Sequence, residues 1–152
     1  MGNKSSARPN YVSQFGRSDK LYRVRITLRR IACIFGSPNH WGVAVETNSG
    51  WVSIQFSLSN GVGVSYHHSY TDAALSNWAS DRCDVRSSDY GSAYSNLTLG
   101  DLLDHIEKLK QGRYSLYCLV FNDCQNFARS VVEYLTGKFV GWYPIEDGPD
   151  VS

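Results

Sequence analysis

From Leu21 to Leu28 the chain reads LYRVRITL, in which apolar Tyr22, Val24, Ile26 and Leu28 alternate with Arg23, Arg25 and Thr27. A period of two predicts a half-buried strand, because successive side chains leave opposite faces of the pleat. IACIF, residues 31–35, extends that strand or forms its neighbour, and Ser37-Pro38-Asn39 breaks the chain before His40. HWGVAVE and WVSIQFS then predict a hairpin around Thr47-Asn48-Ser49-Gly50. Pairing Glu46 with Trp51 sets Gly42 against Gln55 and Trp41 against Phe56. One face then carries Trp41, Val43, Val45, Val52, Ile54 and Phe56. The other carries His40, Gly42, Ala44, Ser53 and Gln55, with residues small enough for a helix to come close. GVGVSY, residues 61–66, predicts a further short strand.

Past residue 67 the pattern changes. TDAALSNWA reads as a short helix capped by Thr71, and SDRCDVRSSDYGSAYSN, residues 80–96, as a polar loop without a period. Loops of this length usually serve function or move. Thr98 opens a stronger helix: it forms a capping-box-like pair with Asp101, Leu102, Leu103, Ile106 and Leu109 make its apolar stripe, and Gly112 ends it. YSLYCLVF, residues 114–121, predicts a strand leading into a second strong helix over 125–138. Phe127, Ala128, Val131, Val132 and Leu135 recur there at three- and four-residue spacing. Asn122 or Asp123 can cap its start, and Gly137 can stop it in a left-handed turn. Cys124 falls in its first turn and also on its apolar stripe, so the pattern alone leaves both readings open, nucleophile and core residue.

Composition narrows the class. With 152 residues, 42% of them hydrophobic and 13% aromatic, the chain is expected to form one domain with a real core. No apolar run reaches membrane-spanning length, and MGNKSSARPN lacks the apolar segment of a secretory signal, so a reducing, cytoplasmic setting is expected. The four cysteines, Cys33, Cys83, Cys118 and Cys124, show neither a CxxC pair nor a histidine at zinc-like spacing. They read as thiols, with no metal and no cofactor expected. Cys33 and Cys118 alternate within apolar strands and read as core, whereas Cys83 lies in the polar loop. His67 and His68 are expected in an exposed turn and His105 on a solvated helix face.

Charge is unevenly spread. Residues 1–30 hold eight Lys or Arg against Asp19 alone, a charge of +7, and the rest of the chain carries −6. The division expected is a flexible basic arm over 1–19, a folded domain over 20–145 and an acidic tail over 146–152. A basic arm implies an anionic partner, here a membrane surface; it lacks the aromatic interleaving of a specific nucleic-acid binder. MGNKSS fits the N-myristoylation pattern, with Gly2 as acceptor and Ser6 in place. One acyl chain binds membranes only marginally, and Lys4, Arg8, Arg17 and Lys20 supply the basic second element, each worth roughly 1 kcal/mol near an anionic leaflet.

Cysteine hydrolases need a thiolate, a base to generate it and donors for the oxyanion. A helix N-terminus lowers a thiol pKa and offers unpaired N–H groups. NHWGVAVE followed far downstream by NDCQNFARSVVEYLTGK resembles the permuted papain-like cysteine hydrolases, most closely the PPPDE (DeSI-type) isopeptidases. The lecithin retinol acyltransferase-like and NlpC/P60 families are more distantly similar. In those families a histidine lies on an early strand and the cysteine opens a later helix. The matching elements are His40 with Gly42, LGDLLDHIEKL, YSLYCL, Cys124 with Phe127, and YLTGK, covering about residues 38–145.

The resemblance implies a permuted papain-like α+β fold, with a small antiparallel sheet packed against helices and Cys124 and His40 as the dyad. It implies cleavage of peptide or isopeptide bonds in protein substrates, such as ubiquitin-like conjugates. Lipid or thioester chemistry, including that on acylated proteins, is the second reading, and an inactive membrane-tethered binding module the third. Two departures stand out: Asp123 occupies the family's Asn position before the cysteine, and the second histidine of the acyltransferase-like families is missing. Gln55 shares the His40 face and is the candidate third residue, to orient the imidazole or donate to the oxyanion.

Overall fold

The computed structural model describes residues 14–30, 39–57, 61–75, 85–116 and 123–141. Five strands form one antiparallel sheet: β1 (Leu21–Arg30), β2 (Asn39–Thr47), β3 (Gly50–Ser57), β4 (Gly61–His67) and β5 (Val85–Ser92), in the order β4-β3-β2-β1-β5. Three helices accompany it: α1 (Tyr70–Leu75), α2 (Leu99–Gln111) and α3 (Cys124–Thr136). The α+β class and the antiparallel sheet agree with the pattern of the chain.

The β2–β3 register is the one expected, with Glu46 opposite Trp51 and Gly42 opposite Gln55. The Thr47 hydroxyl supports the turn, donating to the Gly50 carbonyl and accepting from the Ser49 N–H. Four expectations are corrected. An extra residue in β1 between Leu21 and Val24 shifts its register, so Leu21 is buried and Tyr22 is 41% exposed. This bulge displaces the simple alternation. Within the supposed loop 80–96 lies β5, paired with β1 through Thr27 opposite Ser87 and Ile26 opposite Ser88. His67 belongs to β4, opposite Trp51, and not to a turn. Finally, α1 starts at Tyr70 under Ser69, whose hydroxyl accepts from the Asp72 N–H, rather than under Thr71.

The two long helices follow their caps. Thr98 and Asp101 form a full capping box at the start of α2. Asp123 caps α3, its carboxylate accepting from the Asn126 N–H at 2.8 Å, and Gly137 ends the helix at φ 71°. A side chain at Gly137 would be strained there and would also meet the Tyr94 phenol. The expected strand over 114–121 and the strand continuing through 31–35 lie largely or wholly outside the described residues, as do Cys33, Cys83 and Cys118. Residues 14–19, expected in the flexible arm, are anchored: Ser49 donates to the Gln14 carbonyl, and Phe15 packs on Tyr66.

The sheet has two unlike faces. Trp41, Val43, Val45, Val52, Ile54 and Phe56 are buried beneath α3. There Phe56, Tyr114 and Phe127 form a three-ring cluster with centroids 5.3–5.6 Å apart. The opposite face is polar yet largely covered: Thr27, His40, Ser53 and Ser87 are all buried. α1 lies on that side, with Ala73 and Ala74 buried and Tyr70 against Trp51 and Arg25.

Candidate active site

His40 is the second residue of β2 and is 3% exposed. Because Gly42 faces Gln55, alternation carries His40 to the same face as Gln55, displaced diagonally along the sheet. His40 Nε2 lies 2.8 Å from Gln55 Oε1. An amide oxygen only accepts, so Nε2 carries the proton in this bond and the lone pair of the neutral ring resides on Nδ1. Burial pulls the His40 pKa below its ordinary value, and the Gln55 bond opposes that shift in part. The imidazole is therefore neutral at physiological pH, the state a general base requires.

Cys124 is the first residue of α3 and is 5% exposed. Its position on the apolar stripe and its position at the helix start hold together: the thiol enters the core cluster while its own N–H belongs to the first turn. Asp123, the departure from the resembled pattern, spends its carboxylate on the Asn126 N–H. Asn126 in turn accepts from Arg129 Nη1 at 2.8 Å, and the Arg129 guanidinium lies over the Trp41 ring, 5.1 Å from its centroid. Burial draws the Arg129 pKa down, with Asp123 and Glu133 opposing. A carboxylate thus caps the start of α3, and the Arg129 guanidinium further along the helix lies within electrostatic reach of it.

The helix runs along the sheet in a defined direction. Arg129 covers Trp41 and Phe127 meets Phe56, whereas the Leu135 carbonyl accepts from the Tyr94 N–H at the far end. Cys124 therefore stands at the end of the sheet where β2 begins, the end that holds His40. The two approach it from different sides: α3 packs on the Trp41 face, and strand alternation turns His40 to the other. His40 and Gln55 are brought together; Cys124 shares their end of the sheet.

Two further pairings were not legible in the chain. Ser53 Oγ lies 2.9 Å from His67 Nε2, on the same face as Gln55 and beside it along β3. Continuing the GVGVSY alternation by one residue would have put His67 in the strand. His105, expected on a solvated face, instead stacks on Tyr134 of α3 with centroids 3.8 Å apart and planes within 4°. Its Nε2 is buried without a hydrogen-bond partner, and burial with Lys108 lowers its pKa.

Among the described residues no group of three His, Cys, Asp or Glu side chains converges to hold a metal ion, and no helix is long and apolar enough to cross a membrane. Gly2 lies outside the described residues. No protein-family model matches this chain, and no curated protein matches it significantly.

Proposed function

We propose that this protein is a cysteine hydrolase of the permuted papain-like type acting on acyl bonds, with peptide or isopeptide bonds of protein substrates as the preferred class. The observation that carries the reading is the His40–Gln55 hydrogen bond. A buried, neutral imidazole whose tautomer is set by an amide oxygen is the arrangement a general base needs, and it is costly to keep for packing alone. The start of α3 supplies the other half: a cysteine at a helix N-terminus, where the dipole favours thiolate and the first-turn N–H groups that Asp123 does not hold are the donors an oxyanion would use.

In the reaction, the Cys124 proton passes to His40 Nδ1 and the thiolate adds to the acyl carbon. Collapse of the tetrahedral adduct breaks the bond to the leaving amine, which takes the proton from His40. The acyl group is left as a thioester on Cys124. Water, deprotonated by His40, then attacks the thioester, and the carboxylic acid departs as the thiol re-forms. Gln55 is a positioning residue that holds the ring through Nε2.

The same reading places the protein at membranes through N-myristoylation of Gly2 and the basic arm. A second reading, a binding module without turnover, is favoured by one observation: α3 packs on the sheet face opposite the one to which alternation turns His40.

Per-cysteine iodoacetamide rates against pH, read by mass spectrometry, decide between them. The hydrolase reading expects Cys124 to be alkylated fastest below neutral pH, where ordinary thiols near pKa 8.5 are protonated. His40→Ala should slow that labelling about tenfold or more and Gln55→Ala by less, with labelling of the other thiols unchanged. A Cys124 that stays inert at every pH, or is indifferent to His40, leaves the binding module.

A further inference from the structure

Cys124 is 5% exposed. A thiol that attacks an acyl bond of a protein must be reached by it, so under the hydrolase reading some part of the chain beside Cys124 yields. β2 is held by ladders on both sides, and α3 by Phe127, Val131 and Leu135 in the core. Neither yields without loss of the fold. The segment that leaves α3 is held differently.

Gly137 turns the chain back at the end of α3. Val140 is buried, and its N–H donates to the Glu133 carboxylate at 3.3 Å. The next carbonyl, that of Gly141, accepts from Arg129 Nε at 3.5 Å. Arg129 lies one turn nearer the start of the helix than Glu133, and helical side chains lean toward the N-terminus. The guanidinium that holds Gly141 is also the one over Trp41, the neighbour of His40 in β2. Residues 137–141 thus run back along α3 toward the end of the sheet that holds Cys124 and His40. Among the described residues this return joins no strand ladder, and Val140 is its one buried side chain. Such a segment opens at lower free energy than a strand or helix.

From Arg129 to Cys124 the helix advances about 7.5 Å, a distance that about two or three extended residues span. Trp142, Tyr143, Pro144 and Ile145 come next in the chain. Pro144 biases Tyr143 toward extended backbone, and the apolar side chains suit the end of the α3 stripe.

We propose that residues 142–145 form a strap across the start of α3 that screens Cys124 from protein-sized groups, and that a substrate reaches the thiol by displacing it. The need for access rests on the hydrolase reading; the course of the strap rests on the return along α3. Anchored at Val140 and clasped by Arg129, the strap lifts without unfolding α3 or the sheet. Substrate binding and exposure of the nucleophile then become one event.

Disulfide mapping tests the path, in the full chain with Cys33, Cys83 and Cys118 replaced by alanine. Trp142→Cys, Tyr143→Cys and Pro144→Cys are each oxidised with copper phenanthroline, and the link to Cys124 is read by mass spectrometry. Phe139→Cys, at the far end of α3, is the control. A bridge needs Cα atoms within about 7 Å, so at least one of the three should link to Cys124 about tenfold faster than the control, or more. None faster than Phe139→Cys would overturn the strap.

The screen is tested with the native cysteines in place, at a pH above the ordinary thiol value of about 8.5, where labelling reports access and not activation. A strap open about a tenth of the time or less slows a bulky reagent by that fraction. Trp142→Gly with Tyr143→Gly should therefore speed labelling of Cys124 by a polyethylene glycol maleimide about tenfold or more. Iodoacetamide, small enough to enter in brief openings, should gain much less, and the other thiols nothing. Equal maleimide rates, or a gain shared by every thiol, would overturn the strap. Both readouts should persist in His40→Ala, so a failed hydrolase reading and a failed strap remain distinguishable.

Discussion

His40 and His105 are both pulled below their ordinary pKa by burial, although one is bound to Gln55 and the other stacked on Tyr134. Below the unfolded value of about 6.5 the unfolded chain binds protons that the native protein refuses, so stability falls as pH drops. The stability tied to the neutral rings is fully present above about pH 6.5 and lost as pH falls toward the native values. Urea midpoints across pH 5–8 should show that decline, and His105→Phe should flatten its part of it. Gln55 opposes the downward shift of His40, so Gln55→Leu should lower the His40 titration midpoint in an NMR pH series. An unchanged midpoint would mean that the 2.8 Å contact does not bind the charged ring better than the neutral one.

At the level of elements, α3 carries most of what can be tested. Phe127 joins the Phe56–Tyr114 cluster, and Phe127→Ala should cost about 3–5 kcal/mol in denaturant unfolding. Asp123→Ala removes the cap and should cost about 1 kcal/mol, whereas Asp123→Asn keeps an acceptor there and should cost far less. Iodoacetamide rates on Asp123→Asn then report charge alone, and removal of a negative group beside the thiol should quicken Cys124 labelling.

How far these elements were readable follows from what drives each. The β2–β3 register was legible because a tight turn and two alternating runs agree on one pairing. Both long helices were legible because cap residues bracket an apolar stripe. β5 was not: its Ser87 and Asp89 face a polar layer and are met by Arg25 and Arg23, so no apolar period marks it as a strand. Nor was the β1 bulge, since inserting one residue reverses which of Leu21 and Tyr22 is buried without altering composition. At the site, the shared face of His40 and Gln55 followed from register alone. The partners of His67 and Arg129 did not, because they come from tertiary packing.

For the molecule as a whole, the strand order has a kinetic side. β2, β3 and β4 pair with their neighbours in sequence, but β5 must find β1 across about sixty residues, as in the Arg25–Ser87 bond, 62 positions apart. Each doubling of a closed loop costs about 0.6 kcal/mol, so the β1–β5 closure is roughly 2–3 kcal/mol dearer than the β2–β3 turn. The meander should therefore be present in the folding transition state and β5 should dock late. In stopped-flow chevrons, Val43→Ala in β2 should mainly slow refolding, whereas Ser88→Ala in β5, a buried position, should mainly speed unfolding. A strand that arrives last also departs first. In native-state hydrogen exchange the β1–β5 amides should open at lower free energy than those of β2 and β3, exposing the outer side of β1 in brief excursions while the His40–Gln55 pair stays assembled.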